Sequence, residues 1–323
     1  LSEYQVAEGK TRRYSDKDIE LFRNGKDPWE HPNTDWYGDL IKDWTSTTRH
    51  SVTLDGGAKG MNYYVSFGYK SDDAMYKASS TKYKQYNVRT KLEMPVTDWL
   101  KTGVEVAGFL TDRIYPYKGA GDIVGQSTRL VPTNWSYWPT KEGRYPGPDI
   151  EYGDNPVETS TLSAGKNDQK TYRVLSTFNA TVVVPFVKGL SFTGSYNYDL
   201  TNYYNKKFYK PWTLYYPNWD KATRNSEGFI TDMPLTPTLR GLSSAENTER
   251  YERTINQTTM FSANYNRKFG DHSIVLFGGF EQYSSDWNYY QAYRKYYISD
   301  AIQTMNAGNS KDQTIEGSAT IYA

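Results

Sequence analysis

The sequence predicts an all-β protein, a run of antiparallel strands from a large transmembrane β-barrel with long extracellular loops. Two observations predict it. Several segments alternate apolar and polar residues at period two, as a strand with one apolar and one wet face does. The connections between them are sorted by length. Short polar turns at Gly56-Gly57-Ala58-Lys59-Gly60, Val96-Thr97-Asp98, Phe186-Val187-Lys188-Gly189 and Gly270-Asp271-His272 take turns with long aromatic-rich stretches near 71–81, 114–170, 205–253 and 285–313. Strands joined by short turns at one end and long loops at the other are the pattern of bacterial outer-membrane barrels.

The strands follow in order. Segment 50–55 alternates through Val52 and Leu54, and 62–70 is a strand with less clean sorting. In 85–94, Tyr86, Val88, Leu92 and Met94 oppose Gln85, Asn87, Arg89, Lys91 and Glu93. In 99–110, Leu100, Val104, Val106 and Leu110 oppose Lys101, Gly103 and Glu105. Segment 171–184 places Tyr172, Val174, Phe178, Ala180, Val182 and Val184 against Arg173, Thr177, Asn179 and Thr181. The cleanest strand is 190–201, where Leu190, Phe192, Gly194, Tyr196, Tyr198 and Leu200 separate completely from the intervening Ser, Thr, Asn and Asp residues. Segments 259–269 and 272–283 follow; Arg267 breaks the pattern of the first, close to a turn. That makes about eight strands, with a ninth beginning near residue 314. A strand of about 14 residues, rising about 3.3 Å per residue at a tilt of about 45°, climbs roughly 33 Å, more than the apolar band of about 25 Å. A large soluble sandwich or propeller would also alternate, but its strands are typically about 5–6 residues long.

Residues 1–47 read differently, as a loop and short-helix segment ahead of the strands of 48–323. Ser15 is an N-cap candidate followed by acids, and Gly25 is a stop, so a short helix is expected over 15–23. Asn33-Thr34-Asp35-Trp36-Tyr37 starts a second turn or helix running through Leu40 and Ile41 toward Trp44.

Composition excludes several classes. Only 37% of the 323 residues are hydrophobic, with a mean hydropathy of -0.81, and no apolar run reaches the roughly 18 residues of a spanning helix. A barrel strand needs only every second residue apolar, so low hydropathy is compatible with a membrane protein. Aromatic content of 16%, including 31 tyrosines, is too high for a disordered chain. The formal net charge is +1, with no basic patch for nucleic acid. There is no cysteine, which removes disulfides and thiolate chemistry. His31, His50 and His272 match no zinc spacing, and there is no Gly-x-Ser-x-Gly elbow. Gly119-Ala120-Gly121-Asp122-Ile123-Val124-Gly125 has one residue too many for a dinucleotide motif and reads as loop, with no strand–helix context. Asp149, Glu151 and Asp154 could offer oxygens to calcium, without an EF-hand pattern. No enzyme activity and no cofactor are expected. No signal peptide is visible, and both ends of the sequence read as those of an internal piece of a longer chain.

Tyr and Trp collect at strand ends, as in the girdles of membrane barrels: Trp99, Tyr63 and Tyr64 beside short turns, and Tyr196, Tyr198, Tyr203 and Tyr204 leading into a long loop. Other aromatics are dense in the long stretches. Trp135, Tyr137, Trp138 and Tyr145 form one group, Trp212, Tyr215, Tyr216 and Trp219 a second, and Trp287 with Tyr289, Tyr290, Tyr293, Tyr296 and Tyr297 a third. Flat rings fit the C–H faces of sugars, and Asn134, Asn218, Asp220 and Asn288 lie nearby to orient hydroxyls. The candidate substrate contacts are Trp135, Tyr137, Trp138, Trp212, Tyr215, Tyr216, Trp219 and Trp287. Packing of loops on one another, or on a partner, would use the same residues.

One set of motifs goes further. Ser15-Asp16-x-Asp18-Ile19, Asp27-Pro28 and Pro32-Asn33-Thr34-Asp35-Trp36-Tyr37 are followed by Ser51-Val52-Thr53-Leu54-x-Gly56-Gly57 and Asn62-Tyr63-Tyr64-Val65-Ser66-Phe67-Gly68-Tyr69. Tyr83-x-x-Tyr86-Asn87-Val88-Arg89 and Asp98-Trp99-Leu100-Lys101-x-Gly103 come next. In that order they resemble the SusC/RagA-type TonB-dependent outer-membrane transporters; weaker motifs such as His272-Ser273-Ile274 extend the likeness. The resemblance implies a bacterial outer-membrane barrel of about 22 strands, closed by a plug that no segment here matches. It implies import of an oligosaccharide or peptide with a SusD-like surface lipoprotein as lid, energised through the TonB complex, with lipid around the barrel. The competing readings are a surface carbohydrate-binding β-protein or adhesin without transport, and a polysaccharide-degrading enzyme on a β-scaffold.

Overall fold

The structure, a computed structural model, describes residues 2–78, 81–150 and 154–322. Its frame is one antiparallel sheet in which every strand pairs with its neighbours in chain order. The strands are β1 (Thr47–Ala58), β2 (Met61–Asp72), β3 (Lys82–Pro95), β4 (Leu100–Pro116), β5 (Gly165–Val183), β6 (Leu190–Tyr209), β7 (Glu246–Phe269), β8 (His272–Lys295) and β9 (Gln313–Tyr322). The last is the ninth strand read from residue 314 onward. Among the described residues no helix is long and apolar enough to cross a membrane, which says nothing of crossing by strands.

Two of the four short turns, after β1 and after β7, are tighter than the sequence suggested, while those at 96–99 and 184–189 are longer. Gly56, Gly57 and Ala58 pair within β1, leaving Lys59 and Gly60 as the turn, both at positive φ (52° and 83°). This is the pattern of a two-residue hairpin whose twist matches its strands. At the β5–β6 turn, Gly189 (φ 88°) passes so close to β7 that an added Cβ would stand 2.1 Å from the Asn266 carbonyl oxygen. His272 is the first residue of β8, paired with Phe269.

Register shows that the alternation is real. Val52, Phe67, Val88, Gly108, Val174 and Leu200 stand directly opposite one another along β1 to β6, so the apolar sets of all six strands share one face. Many of these side chains are open to the surroundings, among them Val52, Phe67, Val88, Val104, Phe178, Tyr196 and Phe261. Leu92, Val182, Phe192 and Tyr198 also lie on this face, half-buried, and none belongs to a dry core. A soluble sandwich would bury such a face; here it stays uncovered, as a lipid-facing wall must. Arg267 lies on it too, two residues from the β7–β8 turn, its guanidinium 4.6 Å above the Phe269 ring. The opposite face is mostly polar and cross-bonded, with Phe109, Leu175, Met260, Val275 and Phe277 as apolar exceptions. Arg89 donates to Glu105 at 2.8 Å, Thr177 to Asn197 at 2.7 Å, and Ser285 to Asn256 at 2.8 Å. Adjacent aromatics therefore part company: Tyr63 shares the apolar face and Tyr64 the polar one.

The buried core sits elsewhere, at the long-loop end. There α3 (Trp36–Leu40), which follows α1 (Ser2–Ala7) and α2 (Asp16–Asn24) in the chain, packs on α4 (Ala120–Arg129) and α5 (Pro156–Thr159) of the β4–β5 connection. The expected helix after Ser15 is α2, with a full capping box to Asp18 and Gly25 in the left-handed region as its stop. The Asn33 segment gives α3, capped by Asp35 and ending at Leu40 rather than near Trp44. The stretch around Gly119 is corrected: it follows β4 and opens α4, whose Ile123 is fully buried. It is a strand–helix junction, used for packing.

Candidate functional site

Two surfaces hold the aromatic residues singled out from the sequence. The first is the cap formed by the long loops. Trp29 stacks on Trp138 (ring centroids 5.9 Å apart) and Trp138 on Trp135 (4.9 Å), while Trp219 meets Trp138 edge-on at 6.4 Å. Tyr145 and Tyr215 meet edge-to-face at 4.8 Å in the same cluster, which Ile230 and Met233 complete. The indole N–H groups bind backbone: Trp138 donates to the Tyr215 carbonyl at 2.7 Å and Trp135 to the Pro28 carbonyl at 3.1 Å. These contacts join residues about a hundred apart in sequence, so the Trp rings lock the segment before β1 onto the β4–β5 and β6–β7 loops. Arg224 to Glu30 (3.1 Å) and Arg144 to Asp39 (3.0 Å) are ion pairs across the same junction.

Tyr137 belongs to a neighbouring cluster around Trp36, Leu40 and Ile123. The Arg144 guanidinium lies 4.0 Å above its ring, and burial pushes its hydroxyl pKa up. Trp212 is buried in a third cluster with Leu214 and Ala164. Tyr216 accepts from Arg240 at 2.7 Å. Of the cap residues, Trp138 and Trp212 are 3% exposed, their rings covered by protein, whereas Trp219 keeps 46% exposure. A groove of about 430 Å³ opens beside the cap between Thr140, Tyr145, Tyr215, Asp232 and Leu235.

The second surface is the polar face of the sheet above the apolar band. Only Trp287 of the candidate residues lies there. Its ring is 5.2 Å from that of Tyr289, and the Arg250 guanidinium covers Tyr289 at 3.8 Å while pairing with Glu252. Register extends this wall: Tyr83, Arg113, Gln169, Asn205, Arg250, Gln291 and Glu316 form one continuous row across β3 to β9. Gln291 donates to Glu316 at 2.9 Å, and Arg113 lies 4.8 Å above the Tyr83 ring. Guanidinium, amide and phenol groups in a row can bind backbone amides, carboxylates or sugar hydroxyls, and the indole offers a stacking face. Arg113, Arg250 and Gln291 were missed in the sequence because both faces of these strand ends are polar and carry no alternation.

Metal-binding groups are sparse. Glu151 lies outside the described residues, and the buried Asp154 carboxylate pairs with Lys118 at 2.8 Å and accepts from Gln126 at 3.3 Å. His31 stands 2.7 Å from Asp27 and 3.3 Å from Asp18, an arrangement internal to the α2 region. Among the described residues no group of three or more His, Asp or Glu is placed to hold a metal ion.

A large antiparallel sheet with one uncovered apolar face, one polar face and all its long loops at one end defines a segment of an outer-membrane β-barrel wall. In sequence the chain is similar to a TonB-dependent receptor of Formosa agariphila, at 25% identity over 260 residues, covering 77% of this chain and 22% of that protein. In fold it is similar to the RagAB peptide transporter (TM-score 0.68, 18% identity) and to the RagAB peptide importer in its closed-closed and open-open states (TM-score 0.67 for each, 17% and 18% identity). Each alignment covers 99% of this chain and 35–36% of the solved one. The chain thus spans about a fifth of the curated relative and about a third of the solved chains. No protein-family model matches it. The resemblance to the SusC/RagA-type TonB-dependent transporters, first carried by motifs in residues 15–103, is supported by sequence and fold alike, and it places the protein in the bacterial outer membrane.

Proposed function

We propose that this chain is part of a TonB-dependent importer that takes up oligosaccharides or peptides, working with a SusD-like surface lipoprotein. The observation that supports it most directly is the row of Arg113, Arg250 and Gln291, with Trp287 beside it, on the face turned away from lipid. A protein that only anchored a surface module would need no recognition groups along its inner wall. In this reading the wall contacts cargo on its way inward, and the cap of Trp29, Trp135 and Trp138 is the rigid rim on which a lid seats, with Trp219 its exposed ring. The two sheet edges, β1 and β9, pair with further strands of a closed barrel, because unpaired backbone in hydrocarbon costs several kcal/mol per group. No chemical step is assigned to the chain.

The test uses the full-length protein in its own outer membrane. Uptake of labelled oligosaccharides and peptides is measured with and without an uncoupler, for wild type and for Trp287→Ala with Arg250→Ala. Uptake that depends on the proton gradient and falls in the double variant supports the proposal. Surface binding that is indifferent to the uncoupler, with no internalisation, favours an adhesin or carbohydrate-binding protein.

A further inference from the structure

The outward, lipid-facing side of the sheet carries a feature that import does not require. Just above the apolar band, Lys84 of β3, Asp112 of β4 and Lys170 of β5 stand directly opposite one another on that side. Lys82 lies on the same side, two residues further out along β3. Among the described residues neither Lys84 nor Lys170 forms an ion pair or a side-chain hydrogen bond, and Asp112 pairs with neither, whereas Lys166 and Asp168, further out on the same side, pair with each other at 3.7 Å. One step below, Tyr69, Tyr86 and Tyr172 share the face; Tyr86 lies 5.1 Å from Tyr69, against which His50 stacks at 6.3 Å.

Height fixes what these lysines meet. Lys84 is eleven residues from the end of β3 at Pro95, and Lys170 thirteen from the end of β5 at Val183. At about 2.3 Å of climb per tilted residue, both reach roughly 25–30 Å above the short turns, where a band of about 25 Å ends. A cation here meets the headgroup layer of the outer leaflet. Aromatic rings directly beneath the lysines mark the boundary itself.

We propose that Lys82, Lys84 and Lys170, above the Tyr69–Tyr86–Tyr172 belt, form a docking site for the phosphorylated glycolipid headgroup of the outer leaflet. On this side Lys82, Lys84, Lys166 and Lys170 stand against Asp112 and Asp168, which leaves a net positive patch, and phosphate is the anion that layer offers. The proposal rests on the apolar face being the lipid face; the Tyr196→Arg comparison described in the Discussion tests that premise separately.

Native mass spectrometry of the full-length protein in detergent, titrated with lipid A or with its dephosphorylated form, provides the test. Wild type is expected to retain lipid A adducts and to lose them with the dephosphorylated probe. Lys84→Glu with Lys170→Glu is expected to weaken retention at least about tenfold, since each Lys near a charged membrane surface contributes on the order of one factor of five. Lys207→Glu, the same charge change on the inward face, should leave retention unchanged. Should charge reversal prevent insertion, Lys84→Gln with Lys170→Gln is measured in the same way. Equal retention of the two probes, equal retention by the lysine pair variants, or equal loss in Lys207→Glu overturns the proposal. So does loss of a co-purifying lipoprotein in place of lipid.

Discussion

Tyr196 and Ser195 are neighbours on β6 and stand at the same height on opposite sides of the wall. Tyr196 lies six residues beyond the start of the strand at Leu190, which at about 2.3 Å of climb per residue places it roughly 14 Å above the short turns. That is close to the middle of an apolar band of about 25 Å. Its register partners Phe178 and Thr259 share its face, and it is 41% exposed, with no protein to cover it. Tyr196→Arg is therefore expected to destabilise the protein by about 2–4 kcal/mol, the depth-dependent cost of a cation at the midplane. Ser195→Arg, turned to the wet side, is expected to cost less than about 1 kcal/mol.

The measurement is reversible denaturant unfolding of the full-length protein in lipid vesicles, followed by tryptophan fluorescence, with folding scored first by heat modifiability on a gel. Comparing two adjacent residues removes any general effect of adding an arginine to a strand. A cost that is the same for both variants, or larger for Ser195→Arg, would refute the assignment of faces and with it the reading of this sheet as a barrel wall.

The cap gives three further expectations. Trp138→Ala should destabilise the cap locally by about 3–5 kcal/mol, seen as faster hydrogen exchange in residues 210–245 while β5 to β8 stay protected; exchange unchanged in the loops would contradict the packing. Gly241→Ala should also loosen the cap, because Gly241 has φ 81° and an added Cβ would stand 2.0 Å from the buried Trp212 ring; with backbone strain of about 1–3 kcal/mol, proteolysis near residue 240 should accelerate. Burial raises the carboxyl pKa of Glu158 in α5. A raised folded pKa contributes stability that is complete below the ordinary carboxylate range and is lost as pH rises through the folded value. Wild-type cap stability should therefore fall across that window more than in Glu158→Gln, and parallel pH profiles of proteolysis for the two proteins would argue against it.

Much of the wall was legible because lipid imposes a strict rule. Phe192, Tyr196 and Leu200 must be apolar while Thr193, Ser195 and Asn197 need not be, so period two is written into the sequence wherever one face meets hydrocarbon. The rule lapses where water bathes both faces. Residues 246–253 belong to β7, and 285–295 to β8, within stretches that read as loop. Glu246-Asn247-Thr248-Glu249-Arg250 shows no alternation because neither face there is lipid, and pairing with Lys295 and Tyr209 alone declares it a strand. The helix α4 was hidden for another reason: Gly121 and Gly125 are poor helix formers, and the burial of Ile123 against Trp36 and Val157 supports the segment as a helix.

The aromatic residues show where composition stops being informative. Tyr203 and Tyr204 are adjacent and chemically identical, yet one stands beside Glu252 and Tyr289 on the inner wall and the other opposite Tyr251 on the outer side. Trp138 and Trp287 both came from aromatic-rich stretches, yet one is closed inside a stack and the other lines the polar face. What separates them is parity of position along a strand, together with the presence or absence of a second layer above it. Density of rings in a loop therefore measures how well the loops pack on one another, whereas recognition along the wall depends on register. A one-residue slip of β6 would exchange Tyr203 for Tyr204 and turn Ser195, Asn197 and Asp199 toward lipid. The close passage of Gly189 beneath Asn266 fixes the β5–β6 turn against β7 and so holds the register on which both faces depend.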